Sequence, residues 1–492
     1  MELYQGRVLI LQMNKQHLVL RISLILLLLS TGKQLFAQHQ DVHEKPALWR
    51  GHQHHQSDSD ALVHFFKAGQ FHGHFRSFFS ATDNSPGLSD YHALAAGGGI
   101  RFESKAWKGF QFGVSGFFIF HVFSNDLAKP DPRTGQGNRY EVGLFNQEEP
   151  GNRHHIDRLE EFFLKYSRGK SHITFGKQLI NTPFINLQDG RMRPTGVDGI
   201  WGELQTGKKL RWQGGWIYAL SPRGTVDWYH GGKSIGVYAT GVNPNGTPSG
   251  YSGNVHSDGV ALLGADYRPS RVFSLQQWNM WIEGVSYSGM LQANIQKSLS
   301  RDRLLGLSLQ SVTQTALGDG GNADQSKTYM LRGARSFTYG IRGQYRHGAW
   351  EHSLNYNRIT SQGRYLVPRE WGRDPFFTFM PRERNDGLGD VHAIVARTQW
   401  SPGGKPYKMN LAGGYFKVPD VRNTALNKYG MPSYAQTNLD LRYKFKSGLL
   451  QGLEAQALIV AKKNLGETYE NPRFVFNKTD MVLYNFILNY HF

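Results

Sequence analysis

From about residue 62 to Phe492 the chain breaks into some eighteen short runs of alternating apolar and polar residues, joined by connections that are alternately short and long. Period-2 alternation means strands with two unlike faces. The runs fall near 66–82, 91–103, 109–123, 158–167, 171–178, 198–206, 210–220, 259–268, 271–283, 284–299, 303–315, 334–347, 349–359, 390–401, 405–417, 434–447, 450–464 and 478–492. Each has the ~10-residue length at which a tilted strand crosses a bilayer. Short connections recur at 104–108, 168–170, 207–209, 269–270, 300–302, 348, 402–404 and 447–449. Mostly long ones separate them, at 124–157, 179–197, 221–258, 316–333, 360–389, 418–433 and 465–477. An antiparallel barrel puts successive connections at opposite ends, with short periplasmic turns and long extracellular loops. A soluble sandwich or propeller has less reason to segregate them. The expectation is an all-β transmembrane antiparallel barrel of about 18 strands. Sixteen is the alternative count, because the 283/284 boundary is soft, and an even number puts both termini in the periplasm.

The alternation also says which face meets lipid. In the last run Phe492, Tyr490, Leu488, Phe486, Tyr484 and Val482 share one face, opposite His491, Asn489 and Asn485. Leu439, Leu441, Tyr443 and Phe445 oppose Asn438, Asp440, Arg442 and Lys444. Phe337, Tyr339, Ile341 and Tyr345 oppose Thr338, Arg342, Gln344 and Arg346. Phe71, Phe75 and Phe79 oppose His72, His74 and Arg76. The aromatic face is expected to look outward, and the polar face into a wet lumen.

Composition agrees with strands rather than helices. Only 39% of residues are hydrophobic, mean hydropathy is −0.48, and beyond the N-terminus no run approaches the ~18 apolar residues of a membrane helix. The N-terminus differs. Lys15 and Arg21 precede an apolar run around Ile25 to Leu29, closed by Leu35-Phe36-Ala37. Residues 1–37 therefore read as a secretory signal peptide, with Met13 the better start. A His-rich periplasmic segment follows at 38–61, and the barrel occupies 62–492. There is no cysteine, so no lipoprotein anchor and no disulfide framework. Net charge is +18, and +15 once residues 1–37 are set aside with their four cations and Glu2. Nucleic acid is not an expected partner of an exported chain. An anionic membrane surface, here outer-membrane lipid and lipopolysaccharide, or an anionic solute is.

Several local patterns carry no chemistry. Gly232-Lys-Ser-Ile-Gly236 fits a nucleophile elbow in letters but lies in a long connection without the strand-turn-helix that makes one. Asp319, Asn322 and Asp324 have calcium-like spacing but read as a bare turn. His52, His54 and His55 with Asp58 and Asp60 read as a flexible tail rather than a metal site. No cofactor is called for, and the chain is not read as an enzyme.

Two stretches and the chain's end narrow the family. Phe492, Tyr490 and Leu488 are similar to the C-terminal signature that barrel-assembly machinery recognises. INTPFINLQDGRMRPTGVDGIWGEL (180–204) resembles the T-P-x-x-x-x-D-x-R-x-x-P run of OprD-type outer-membrane porins through Thr182, Pro183, Asp189 (one position displaced), Arg191 and Pro194. REWGRDPFFTFMPRERNDGLGDVHA (369–393) resembles that family's seventh-loop signature. The resemblance implies an eighteen-stranded substrate-selective channel of a Gram-negative outer membrane, narrowed by inward-folded third and seventh loops. It also implies a basic ladder that guides small carboxylate-bearing solutes such as amino acids, short peptides and organic acids. Arg382 and Arg384 carry over from the family, and Arg191 less directly. Arg193 joins them from the same loop, and Arg76, Arg101, Arg342, Arg346, Arg442 and Lys444 are placed on the ladder by strand phase. Guanidinium groups suit this task because each is a fixed, permanently charged fork for a carboxylate. Monomer and homotrimer both remain open. The alternatives are a barrel hydrolase, either phospholipase or protease, although no spacing points to a triad, and a structural or adhesive barrel with a closed lumen.

Overall fold

The computed structural model describes residues 62–187 and 191–492. The expected leader, the His-rich segment and Asp189 lie outside the described residues.

One sheet of nineteen strands closes on itself. Its strands are β1 (Gln70–Asp83), β2 (Tyr91–Glu103), β3 (Phe110–Ser124), β4 (Asp157–Arg168), β5 (Ser171–Gln178), β6 (Gly196–Thr206), β7 (Leu210–Ser221), β8 (Tyr229–His230), β9 (Val260–Tyr267), β10 (Phe273–Ile282), β11 (Ser286–Ser298), β12 (Arg303–Ala316), β13 (Arg335–His347), β14 (Trp350–Ile359), β15 (Val391–Trp400), β16 (Tyr407–Lys417), β17 (Tyr434–Lys444), β18 (Glu454–Asn464) and β19 (Met481–His491). β8 is a two-residue ladder on the end of β7, inside a connection, and β7 pairs directly with β9. The other eighteen form the wall. All neighbours are antiparallel, and β19 pairs β1 to close it, as in Phe75↔Tyr490 and Phe79↔Phe486. The expected eighteen-stranded barrel is therefore present.

The soft boundary resolves into a hairpin. β10 and β11 are joined by Glu283, Gly284 and Val285 alone, with Gly284 at φ 65 and Val285 N donating to Ile282 O at 3.0 Å. Glycine adopts the left-handed backbone of so short a loop without the steric cost a side chain would bring. One end differs from expectation. The first strand begins at Gln70 rather than 66, because Leu62–Lys67 is a short helix held where Phe65 O accepts from Lys105 N at 3.0 Å.

Alternation along each strand sorts residues as the pattern requires. On β12, Leu305, Leu307 and Leu309 are exposed on the outer face, while Ser308, Gln310 and Gln314 are buried on the inner one. On β19, Phe486, Leu488 and Tyr490 face out and Leu483, Asn485 and Ile487 face in. At the closing seam Phe492 exchanges backbone hydrogen bonds with Gly73, at 2.7 and 3.0 Å. Its ring covers Gly73 so closely that a Cβ there would fall 2.1 Å from a ring carbon. An aromatic ring laid over a strand glycine repacks surface the glycine leaves bare.

Connections at the end where the described residues begin and finish are short, from two residues at 169–170 to nine at 445–453. At the opposite end 84–90 and 283–285 are short, and 125–156, 179–195, 222–259, 317–334, 360–390, 418–433 and 465–480 are long. Two of the long ones fold inward and fill the middle of the lumen. Phe184 and Ile185 from 179–195, with Tyr365, Trp371 and Phe377 from 360–390, are completely buried there, in a setting where a simple open barrel would hold water.

Candidate permeation path

An irregular segment inside a barrel must find partners for its own backbone, since buried amides left unpaired cost free energy. The wall supplies them as side-chain amides. Gln314 of β12 grips Leu366 at both ends, accepting from its N and donating to its O at 2.8 Å each. Gln310, two inward positions along, donates to Pro375 O at 3.0 Å. On the opposite wall Gln436 and Asn438 of β17 donate to Pro381 O at 2.8 and 3.2 Å, and Lys462 of β18 donates to Arg382 O at 3.0 Å. Asn485 of β19 accepts from Arg382 Nε at 2.8 Å, and Arg397 of β15 donates to Phe379 O. The 360–390 connection is thus strung across the lumen from β12 to β19.

The 179–195 connection docks on it. Asn186 N donates to Trp371 O at 3.0 Å, Asn186 and Arg373 exchange two bonds at 3.0 Å, and Thr195 Oγ1 donates to Glu370 O at 2.7 Å. Glu370 in turn accepts from Gly236 N and Tyr238 N at 2.9 and 3.0 Å, tying in the 222–259 connection.

This partition separates two chambers that share no lining residue. The one toward the chain ends is about 540 Å³ and is lined by Arg101, Lys165, Arg211 and Arg268 against Glu103, Glu161 and Glu203. Its charges are paired across the wall: Arg101 meets Glu103 at 3.3 Å and Glu161 at 3.4 Å, and Arg211 meets Glu203 at 2.6 Å. The chamber toward the long connections is about 1080 Å³ and takes ten arginines and lysines against two carboxylates, Glu383 and Asp386. Both carboxylates are already held. Asp386 pairs with Arg369 at 2.9 Å, while Glu383 meets Arg139 and Lys462 at 2.9 Å each and Arg369 at 3.9 Å. Burial would raise the Glu383 carboxyl, but those three cations hold it well below the usual carboxylate range. Burial pushes Lys428 and Lys478 down to about 7, and burial together with Asp386 pushes Asp374 up to about 7.

The expected site residues distribute over this frame unevenly. Arg191, Arg382 and Arg384 line the larger chamber. Arg382 is one of the few non-glycine residues with positive φ (75), and Arg384 donates to Arg369 O at 2.6 Å. Arg76 lies on the inner face of β1, in the electrostatic reach of Arg191 and Arg442, with its Nε buried and lacking a hydrogen-bond partner. Arg101 lines the smaller chamber. Arg342 is buried in the wall, bonded to Asn355 at 3.1 Å and stacked over Phe377 at 4.2 Å. Arg442 pairs with Asp440 at 2.8 Å, and Lys444 with Glu454 at 3.3 Å, both near the turn end. Arg346 stands on the inner face of β13, close to its turn. Arg193 is brought to a different place: buried, over the Phe117 ring at 4.3 Å and paired with Glu160. Phe492, Tyr490 and Leu488 are exposed on the outer face.

Arg139, Arg369 and Lys462 belong to the site and were not singled out in the sequence. Phase alone would have found Lys462, two steps beyond the inward Val460. Ser234 is buried, donating to Gly231 O and accepting from Trp371 Nε1 at 3.1 Å each. Asp319 is spent on Arg332, and among the described residues no group of three or more His, Cys, Asp or Glu side chains could hold a metal.

Comparison with known proteins places this architecture. The family model described as outer membrane porin, OprD family, matches residues 64–366. That span includes the third-loop run and stops just short of the 369–393 stretch. A comparison with curated sequences finds no match. Among solved structures, Pseudomonas aeruginosa OpdK with vanillate is similar at a TM-score of 0.66 and 16% identity, covering 87% of this chain and 99% of that one. Pseudomonas aeruginosa OccK3 (OpdO) gives 0.63 and 16%, covering 88% and 97%. OccK8 (OprE) of the same organism gives 0.66 and 13%, covering 87% and 99%. At such identities the likeness speaks for the fold. The match to the family model, over more than half of the sequence, shows that the chain belongs to the OprD family of outer-membrane porins.

Proposed function

We propose that this porin passes small carboxylate-bearing solutes, such as amino acids, short peptides or organic acids, by passive diffusion. In this reading both termini are periplasmic, the leader 1–37 is removed, and the loop-bearing end faces outside. The observation that carries it is the ten-to-two excess of cations over carboxylates around the larger chamber, with Arg382 and Arg384 at the partition. A low-dielectric wall focuses the field of such charges where the passage narrows. A row of guanidinium groups can hand a carboxylate along without one deep trap. Arg76 and Arg191 extend that row, while Arg101, Arg442 and Lys444, already paired, contribute less net field. That a relative was crystallised with vanillate, itself a carboxylate, is in keeping with this solute class.

The test is the reversal potential across a salt gradient for wild type and Arg382→Gln/Arg384→Gln. The double variant should lose anion preference and slow carboxylate uptake, with less effect on neutral sugars. The difference should shrink as salt rises, because the Debye length falls from about 10 Å at 0.1 M to about 3 Å at 1 M. An unchanged reversal potential would take these two arginines out of the path.

A further inference from the structure

The two chambers differ more in charge than in size. The smaller balances four cations with three glutamates, most of them paired at hydrogen-bonding distance. The larger is lined by ten arginines and lysines and only two carboxylates, Glu383 and Asp386. That surplus does not come from one wall. Arg139 belongs to the 125–156 connection, Arg223 to 222–259, Arg384 to 360–390, and Arg473 and Lys478 to 465–480. Several are set by neighbours rather than left to wander. Arg223 lies over the Tyr238 ring at 5.6 Å, Arg473 Nε donates to Thr134 O at 2.8 Å, and Lys478 Nζ donates to Arg473 O at 2.7 Å.

Cations anchored on separate walls of a roughly 1080 Å³ space make a specific demand on what fills it. A single carboxylate engages one wall and leaves the rest of the field uncompensated. A solute with two or three anionic groups engages two walls at once, and its energy in the summed field scales with its valence. The volume is at the upper end of that of small-molecule sites, ample for a tricarboxylate with some of its water.

We propose that the larger chamber is a binding site for multivalent anions, solutes carrying two or more carboxylate or phosphate groups, and that the channel prefers them over monocarboxylates. This rests on the anion-conducting reading above and narrows its solute class.

The experiment is block of single-channel current in planar bilayers of the full chain, with acetate, citrate or inorganic pyrophosphate in both compartments. Citrate and pyrophosphate should half-block at concentrations at least about tenfold below acetate, the low end of what electrostatic focusing gives. Citrate alone would assign the site to carboxylates, and pyrophosphate alone to phosphates. Arg223→Gln/Arg473→Gln should lower the ratio, and Arg223→Lys/Arg473→Lys should restore most of it, which separates charge from shape. Arg211→Gln/Arg268→Gln in the smaller chamber should leave it standing. Heat-modifiable gel mobility checks that each variant is an assembled barrel. Equal block by acetate and by both multivalent anions in an anion-selective channel overturns this inference alone, as does a lysine variant no better than the glutamine one. Cation selectivity in the wild type would instead overturn the anion-conducting reading beneath it.

Discussion

Lys462 of β18 reaches into the lumen to Glu383 at 2.9 Å, with the lysine side chain fully buried and the carboxylate only 3% exposed. The same ammonium donates to Arg382 O and Tyr140 Oη at 3.0 and 3.1 Å. One wall residue thus holds both the backbone of Arg382 and the charge beside it. Removing one partner of a buried pair costs about 3–5 kcal/mol where the other is stranded, and less here because Glu383 keeps Arg139 at 2.9 Å. Lys462→Met should therefore loosen the 369–386 segment, read as faster protease cleavage there with the barrel still heat-modifiable. Lys462→Arg should recover part of the loss, since a cation and its donors return beside Glu383 and Arg382 O. Equal protection in wild type and Lys462→Met would sink the claim.

The same carboxylate sets an acid limit. Its folded value lies below the ordinary 4.5, so the unfolded state binds the proton more readily. The stability it contributes is present above about pH 4.5 and is lost as pH falls through the folded value. Denaturation midpoints should drop on acidification below pH 4.5, and drop less in Glu383→Gln. Parallel curves for the two proteins would count against it.

Selectivity should follow a different pH window. Below about 7 Lys428 and Lys478 are charged and Asp374 is neutral; above it the lysines lose their protons and Asp374 ionises. The change is toward less positive potential at all three groups. Anion preference should be greater at pH 6 than at pH 8, and Lys428→Met/Lys478→Met should flatten the dependence. Reversal potentials at the two pH values measure it, and an identical slope in the variant would exclude these lysines.

Adjacent residues on β12 should fail in different ways. Leu309 is exposed on the outer face near the strand's middle, and arginine at such a depth costs about 2–4 kcal/mol. Leu309→Arg should lower the yield of assembled barrel. Gln310→Ala removes the bond to Pro375 O and should leave assembly intact while making the open current noisier. The reverse pairing of outcomes would invert the assignment of inside and outside.

These contrasts mark what a strand reveals and a loop conceals. Phase told Ile341 from Arg342 and Tyr443 from Arg442 because a strand fixes every side chain to one of two faces. Connection length told the long-loop end from the short-turn end, and Gly284 makes the tight hairpin that blurred the count. A loop has no such phase. Nothing local marks Arg193 as buried over Phe117, or Arg382 two residues away from Arg384 as lying in a left-handed backbone. Pairings such as Glu383 with Arg139, 244 residues apart, exist only once the loop is strung across the barrel.

Much of the partition hangs from the wall by the uncharged amides of Gln310, Gln314, Gln436 and Asn438. Such bonds respond little to ionic strength or to mild acid, whereas the field of the arginines lining the larger chamber weakens as salt rises. The aperture and the toll it levies are therefore built from different materials. A bacterium moving between dilute and saline surroundings would keep the same mesh while its preference for charge rose and fell.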